Sequence, residues 1–150
     1  AKFVIIGKGT YRSHLEKKTH DLGLDSKVIF TGFLPYEEMF ALYRHAKAFV
    51  FASRTETQGY VGLEAMTLGL PVVALSGTGT NDLLHGDKGG FLIEQDDEKV
   101  FAEAVLKLMT DKATRATKSK QAVARAEEYS LDAMTEKLLR IYSTTIYAHK

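Results

Sequence analysis

Short apolar runs alternate with amphipathic stretches along the first two thirds of the chain. The runs are solidly hydrophobic rather than alternating, which is typical of parallel strands that are covered on both faces. The expected strands span residues 3–6, 28–30, 49–52, 71–75 and 91–93.

Between and after these runs, apolar residues recur with the spacing of a helix face. The expected helices span residues 11–22, 36–46, 60–68, 81–84, 98–109, 113–128 and 131–147. Strand–helix alternation followed by a helical tail predicts an α/β fold: a Rossmann-like parallel sheet with helices on both faces. No linker or repeat interrupts the pattern, so we expect one domain over residues 1–150.

Composition narrows the classes of protein to consider. Lys and Arg number 20 against 19 Asp and Glu, so no charge excess argues for nucleic acid as a partner. The chain has no cysteine, which excludes disulfides and thiolate metal sites and fits a reducing compartment. Five scattered histidines without ligand spacing lead us to expect no bound metal. No apolar run approaches the roughly 20 residues of a membrane span.

The chain opens without Met, and Ala1-Lys2 leads directly into an apolar run. We therefore expect it to be a piece of a longer protein.

Two acidic residues, Glu56 and Glu64, flank a glycine-containing segment at a predicted strand-to-helix switch. Glu56 follows the third strand, whereas Glu64 falls in the early turns of the next helix. In an open parallel sheet this edge binds ligands. Helix amides there attract phosphates and carboxylates accept from hydroxyls, so the pair suits a sugar nucleotide.

Each acid also has a local explanation. Ser53 and Glu56 have the spacing of a capping box, although Gly59 makes a helix beginning at Ser53 doubtful. Glu64 near a helix N-terminus is favoured by the helix dipole. Either acid alone fits a structural role, but the pair around Gly59 and Gly62 favours a functional one.

Three glycine-containing turns follow other strands. Gly7 and Gly9 lie between a strand and a helix, where backbone can approach a phosphate, but Arg12 replaces the third glycine of the dinucleotide fingerprint. A tight structural turn is the favoured interpretation there, and NAD(P) is not expected. Gly32, before Phe33, could let a flat base approach the backbone or simply form a turn. The loop 76–82 is equally consistent with the same crevice or with a flexible surface.

A basic stretch marks the sixth predicted helix. It contains Lys112, Arg115, Lys118, Lys120 and Arg125. Peripheral contact with anionic lipid is one interpretation, and a solvated helix face is the favoured one.

Read in order, these segments resemble the retaining glycosyltransferases of family 4, which have the two-domain GT-B fold. The segment from Glu56 to Ala74 resembles their E-x7-E signature. The other matching segments are Ile6-Gly7-Lys8-Gly9, Phe30-Thr31-Gly32-Phe33, Ser53, Gly89-Gly90-Phe91-Leu92, Tyr129-Ser130 and the last amphipathic helix.

The resemblance is to the C-terminal, donor-binding half, and it implies a role for each matching residue. Glu56 would accept hydrogen bonds from the transferred sugar, and Glu64 would bind the ribose hydroxyls. Amides of Gln58, Gly59 and Tyr60 would lie near the sugar and the diphosphate. Backbone near Gly32 and Phe33 would hold the base.

The resemblance also implies what this chain lacks. The first strand and helix of the donor-binding half, with an Arg and a Lys for the diphosphate, would lie upstream, as would the N-terminal acceptor domain. We therefore expect the chain alone to be inactive. Glu56-Thr57-Gln58-Gly59 is similar to the branch that glucosylates diacylglycerol in bacterial membranes.

The implied parent enzyme transfers a hexose, with glucose from UDP-glucose favoured, to a lipid or saccharide acceptor, without metal or other cofactor. It would be cytoplasmic, with contact at the inner membrane face as an alternative. A UDP-sugar 2-epimerase of the same fold and a non-catalytic nucleotide-binding or interaction module remain alternatives.

Overall fold

The computed structural model describes residues 1–54 and 57–147. Its strands are β1 (Phe3–Ile6), β2 (Val28–Gly32), β3 (Phe49–Phe51), β4 (Val72–Leu75) and β5 (Gly90–Ile93). Its α-helices are α1 (Arg12–Asp21), α2 (Tyr36–His45), α3 (Tyr60–Thr67), α4 (Thr78–Leu83), α5 (Glu98–Thr110), α6 (Lys112–Glu127) and α7 (Leu131–Tyr147). A short 3₁₀ helix covers His85–Asp87.

The chain divides into two compact units, residues 1–42 and residues 43–150. In the first unit β1 and β2 pair in parallel, from Phe3 opposite Val28 to Ile6 opposite Gly32, and α1 connects them. Among the residues of this unit, all of which are described, Gly32 alone is buried.

In the second unit three parallel strands have the order β3-β4-β5, so β4 is central. Val72 and Val73 of β4 are almost completely buried, at 1% and 0% exposure. Val73 packs with Ile93 and with Leu108 of α5. On the other face, a Cβ placed at Gly62 of α3 would lie 3.9 Å from Val72 Cγ1. Helices therefore cover both faces of this sheet, and the predicted α/β class is confirmed.

Helix α4 departs from expectation because it begins at Thr78, inside the segment that the sequence presents as a loop. Side chains hold the turn before it. Asn81 Oδ1 accepts from Ser76 Oγ at 2.8 Å and from the Gly77 amide at 3.0 Å. Buried Thr80 donates its hydroxyl to the Leu75 carbonyl at 2.7 Å. These bonds satisfy the polar groups of the turn, so the helix forms despite its glycine.

The basic stretch of α6 is not a uniform solvated face, so that interpretation is wrong for several of its members. Lys118 is half-buried, with Nζ 4.7 Å from the centre of the Phe91 ring. Desolvation by burial lowers the pKa of Lys118 below its ordinary value. Arg125 is also half-buried and donates to the Leu83 carbonyl at 3.1 Å.

Helix α7 has the expected apolar face, but that face is exposed. Leu131 is 83% exposed and Leu138 50%. The other apolar side chains exposed along this helix are Met134, Leu139, Ile141, Tyr142 and Ile146. Within the described ranges, no helix is both long and apolar enough to span a bilayer.

Candidate functional site

Two loops interlock at the carboxyl edge of the three-stranded sheet. One follows β3, and the other follows β4. A Cβ at Gly77 would lie 3.1 Å from the Arg54 carbonyl oxygen. A Cβ at Gly79 would lie 2.6 Å from the backbone nitrogens of both Gln58 and Gly59. The loops are in backbone contact, so a side chain at either position would force them apart.

Gly59 sets the start of α3. It is buried and adopts the left-handed conformation (φ 68°, ψ 22°) as the N-cap residue. A side chain there would be strained and would also approach the Gly79 carbonyl oxygen to 3.1 Å. Its carbonyl accepts from the amides of Gly62 and Leu63, at 2.9 and 3.0 Å, which closes the first turn.

The N-terminus of α3 carries the partial positive charge of its first amides. Among described residues, the amides of Tyr60 and Val61 have no hydrogen-bond acceptor. The helix therefore presents donors at the edge of the sheet where the two loops meet.

Glu64 lies one turn beyond Tyr60, and residues four apart share a helix face. The core-facing residues of α3 are Gly62, Ala65 and Met66. Tyr60 is 59% exposed and Glu64 is half-buried, so both lie on the outer face. The structure thus places a carboxylate about one helical turn from the amides at the start of α3.

Glu56, the predicted catalytic residue, lies outside the described residues. Ser53, Arg54, Thr57 and Gln58 around it are not helical, and α3 begins at Tyr60. A helix beginning at Ser53 is therefore excluded. Gln58 is exposed.

One ion pair at this edge was not anticipated. Arg54 Nη2 lies 3.2 Å from Asp96 Oδ2, and both side chains are well exposed, at 48% and 80%. Such a pair contributes about 0–1 kcal/mol. It links the loop after β3 to the segment after β5, so residues that follow different strands are joined at one edge.

In the first unit the structure brings Gly7 and Gly32 together. The Gly7 amide donates to the Gly32 carbonyl at 2.8 Å, and Gly32 adopts φ 72°. Phe33 follows with 71% of its surface exposed. A Cβ added at Gly7 or at Gly9 would have nothing within 4 Å. Close packing therefore does not explain the glycine at either position. The backbone conformation of Gly7 (φ 130°) does favour a glycine there.

Arg12 has a role that its position in the motif did not suggest. Its guanidinium carbon lies 5.7 Å from the centre of the Phe30 ring. A Cβ at Gly32 would be 3.5 Å from Arg12 Nη1. The residue that replaces the third glycine of the fingerprint therefore packs against β2. Across the described part of the chain, no cluster of acidic and histidine side chains is arranged to hold a metal ion.

Comparison with protein families identifies the group. The family described as "Glycosyl transferases group 1" matches residues 1–128. The chain belongs to this family. The α/β fold is that of the C-terminal, donor-binding domain of GT-B glycosyltransferases, as the resemblance implied.

Two relatives illustrate the range of the family. The sulfoquinovosyl transferase SQD2 of Arabidopsis thaliana is 36% identical across 92% of this chain and 27% of its own length. A D-inositol 3-phosphate glycosyltransferase of Salinispora tropica is 30% identical across 98% of this chain and 32% of its own. The chain thus spans between a quarter and a third of the length of these relatives.

Solved structures agree with this placement. TarM superposes with a TM-score of 0.82 at 28% identity, over 95% of this chain and 28% of its own. Anabaena HepE in complex with UDP-glucose has a TM-score of 0.79 at 26% identity, over 95% of this chain and 41% of its own. The C-terminal domain of LpcC from Francisella tularensis has a TM-score of 0.78 at 27% identity, over 87% of this chain and 70% of its own.

Proposed function

We propose that this chain is the donor-binding domain of a retaining glycosyltransferase that transfers a hexose, with UDP-glucose as the favoured donor, to a lipid or saccharide acceptor. The carrying observation is the interlocked carboxyl edge, where the amides of Tyr60 and Val61, which have no acceptor among the described residues, lie about a turn from Glu64. HepE, whose fold this chain shares, is described in complex with UDP-glucose.

Glycosyl transfer from a sugar nucleotide uses both the amides at the start of α3 and the Glu64 carboxylate in this proposal. Transfer builds negative charge on the departing diphosphate, and preoriented amides at a helix N-terminus stabilise that charge. We propose that the Tyr60 and Val61 amides stabilise the charge on the diphosphate in this way, without a metal or other cofactor. Glu64 accepts hydrogen bonds from the ribose hydroxyls, and Glu56 orients the sugar. Backbone near Gly32 and Phe33 holds the base.

The finer assignments belong to the same proposal. The tetrapeptide Glu56-Thr57-Gln58-Gly59 favours the branch that glucosylates diacylglycerol, with membrane contact at the inner face. The acceptor binds to a separate N-terminal domain of the parent enzyme.

Glu64→Gln tests the donor site. Losing charge-assisted hydrogen bonds worth about 1.5–3 kcal/mol weakens UDP-glucose binding about 10- to 100-fold. Isothermal titration of the chain with UDP-glucose, UDP and GDP-glucose measures this effect and the preference for the base. Glu103→Gln, an exposed carboxylate on α5, is the matched control and leaves the affinity unchanged.

Two outcomes would contradict the assignment. If Glu64→Gln bound UDP-glucose as well as the unaltered chain, Glu64 would not contact the ribose. If none of the nucleotides bound even at millimolar concentration, the donor assignment for this chain would fail. Transferase assays of the parent enzyme carrying the same substitution then give the activity.

A further inference from the structure

A cavity lies at the end of the three-stranded sheet opposite the interlocked loops. Its volume is about 330 Å³, and it is bordered by Lys47 before β3, by Pro71 before β4 and by the first turn of α6. Because β3 and β4 are parallel, their amino ends lie at the edge away from Gln58 and Gly79. The cavity is therefore not part of the proposed donor site.

Four cationic side chains line this cavity: Arg44, Lys47, Lys112 and Arg115. None of the lining residues, all of which the structure describes, is acidic. The positive charges come from three separate segments: the end of α2, the loop before β3 and the start of α6. The fold gathers them at one concave surface.

Of the four cationic residues at the cavity, the two arginines have structural roles. Arg115 Nη1 donates to the Leu108 carbonyl at 2.7 Å, at the C-terminal end of α5. Arg44 lies in the last turn of α2, where the helix dipole favours a cation. Local structure therefore accounts in part for the two arginines.

The two lysines lack such an explanation. Neither Lys47 nor Lys112 forms an ion pair or side-chain hydrogen bond with a described residue. Lys112 is the first residue of α6, where the helix dipole disfavours a cation, and the first turn contains no acid. The adjacent carboxylate of Asp111 is engaged by Thr114, through its amide at 3.0 Å and its hydroxyl at 2.6 Å.

We propose that this basic cavity binds a phosphate-bearing anion. A phosphate offers several oxygens, which the Arg44 guanidinium and the ammonium groups of Lys47 and Lys112 can contact, while Arg115 adds positive charge to the cavity wall. A phosphate is also attracted to the start of α6. The volume admits a phosphate with a small organic group attached. The phosphate source is either a free phosphomonoester or the headgroup of an anionic lipid, and both present the same chemistry.

Titration of the full chain with glycerol 3-phosphate, followed by amide NMR shifts, tests the site. We expect shifts at the cavity backbone, at Ala46, Gly69 and Ala116. The variant Arg44→Ala, Lys47→Ala, Lys112→Ala should weaken binding at least tenfold. The matched control replaces three exposed lysines elsewhere in the same unit and should change the affinity less than twofold: Lys88→Ala, Lys99→Ala, Lys120→Ala.

A second arm uses vesicles of phosphatidylcholine with and without phosphatidylglycerol. If the unaltered chain binds the phosphatidylglycerol vesicles and the cavity variant does not, the phosphate source is a lipid headgroup. If the unaltered chain binds glycerol 3-phosphate but not the vesicles, the source is a free phosphomonoester. The proposal is overturned if neither probe shifts the cavity amides, or if both triple variants lose binding equally. If a variant unfolds, the amide shifts of the unaltered chain still show whether the probe binds at the cavity. Unchanged UDP-glucose binding by the cavity variant separates this site from the donor site.

Discussion

Gly79→Ala tests the interlocked loops directly. The new Cβ would lie 2.6 Å from the nitrogens of Gln58 and Gly59, about 0.8 Å inside ordinary van der Waals contact at 3.4 Å. Those neighbours are backbone atoms and cannot rotate away. Overpacking of this kind costs about 1–3 kcal/mol. The better helix propensity of Ala returns about 1 kcal/mol, which leaves a net loss of up to about 2 kcal/mol.

The functional effect should exceed the loss of stability. A displacement of about 0.8 Å carries an amide from about 2.9 Å to beyond hydrogen-bond distance of a fixed oxygen. Loss of charge-assisted bonds to the donor, at about 1.5–3 kcal/mol, weakens UDP-glucose binding about 10- to 100-fold. Urea denaturation measures the free energy of unfolding, and isothermal titration measures the affinity.

Gly9→Ala is the stability control, because its added Cβ would have nothing within 4 Å and its backbone is outside the left-handed region. Its free energy of unfolding should stay constant or rise by about 0.4–1 kcal/mol. The reasoning is refuted if Gly79→Ala is folded, as stable as the unaltered chain and equally strong in UDP-glucose binding. In that case the contact between the loops would not position the donor amides.

Three further predictions concern stability. Hydrogen bonds from Thr114 lower the pKa of Asp111, so its charge stabilises the fold above pH 3.8. In urea denaturation, Asp111→Asn should be less stable than the unaltered chain at pH 7 and should match it as the pH falls through the folded pKa. A difference in the free energy of unfolding that stays constant with pH would contradict this. The lowered pKa of Lys118 means that the unfolded chain binds more protons just below pH 10.5. Relative to Lys118→Met, the unaltered chain should therefore gain stability as the pH rises towards 10.5, and a loss of stability over that range would contradict the reasoning. Gly90→Ala places a Cβ against the Val72 carbonyl oxygen and should cost about 3 kcal/mol in denaturant melts, whereas a neutral result would mean that the strands can separate there.

Sequence patterns were sufficient for most elements of the fold. The run in β4 is apolar on both faces because both faces are buried, so it was recognisable as a strand covered on both faces. Helix α4 was placed too late because Thr78, Gly79 and Thr80 have loop composition. The bonds from Thr80 and Asn81 that support its start exist only in the folded chain.

The same distinction holds for the sites. The position of Glu64 on α3 followed from spacing within one helix. The contact of Gly79 with Gln58 joins segments far apart in sequence, so no local pattern revealed it. The cations of the basic cavity likewise come together only through packing, and from the sequence Lys112 and Arg115 resembled part of a solvated helix face.

The distribution of burial between the two units has a consequence for hydrogen exchange. In the described ranges the buried hydrophobic side chains all lie between Tyr43 and Ala126, whereas in the first unit only Gly32 is buried. Local opening costs least where little apolar surface is buried. Amides of β1 and β2 should therefore exchange through sub-global openings, well before those of β4, which report the global free energy of unfolding. A bound base near Gly32 and Phe33 would slow that exchange, because a ligand held only by the closed form protects it.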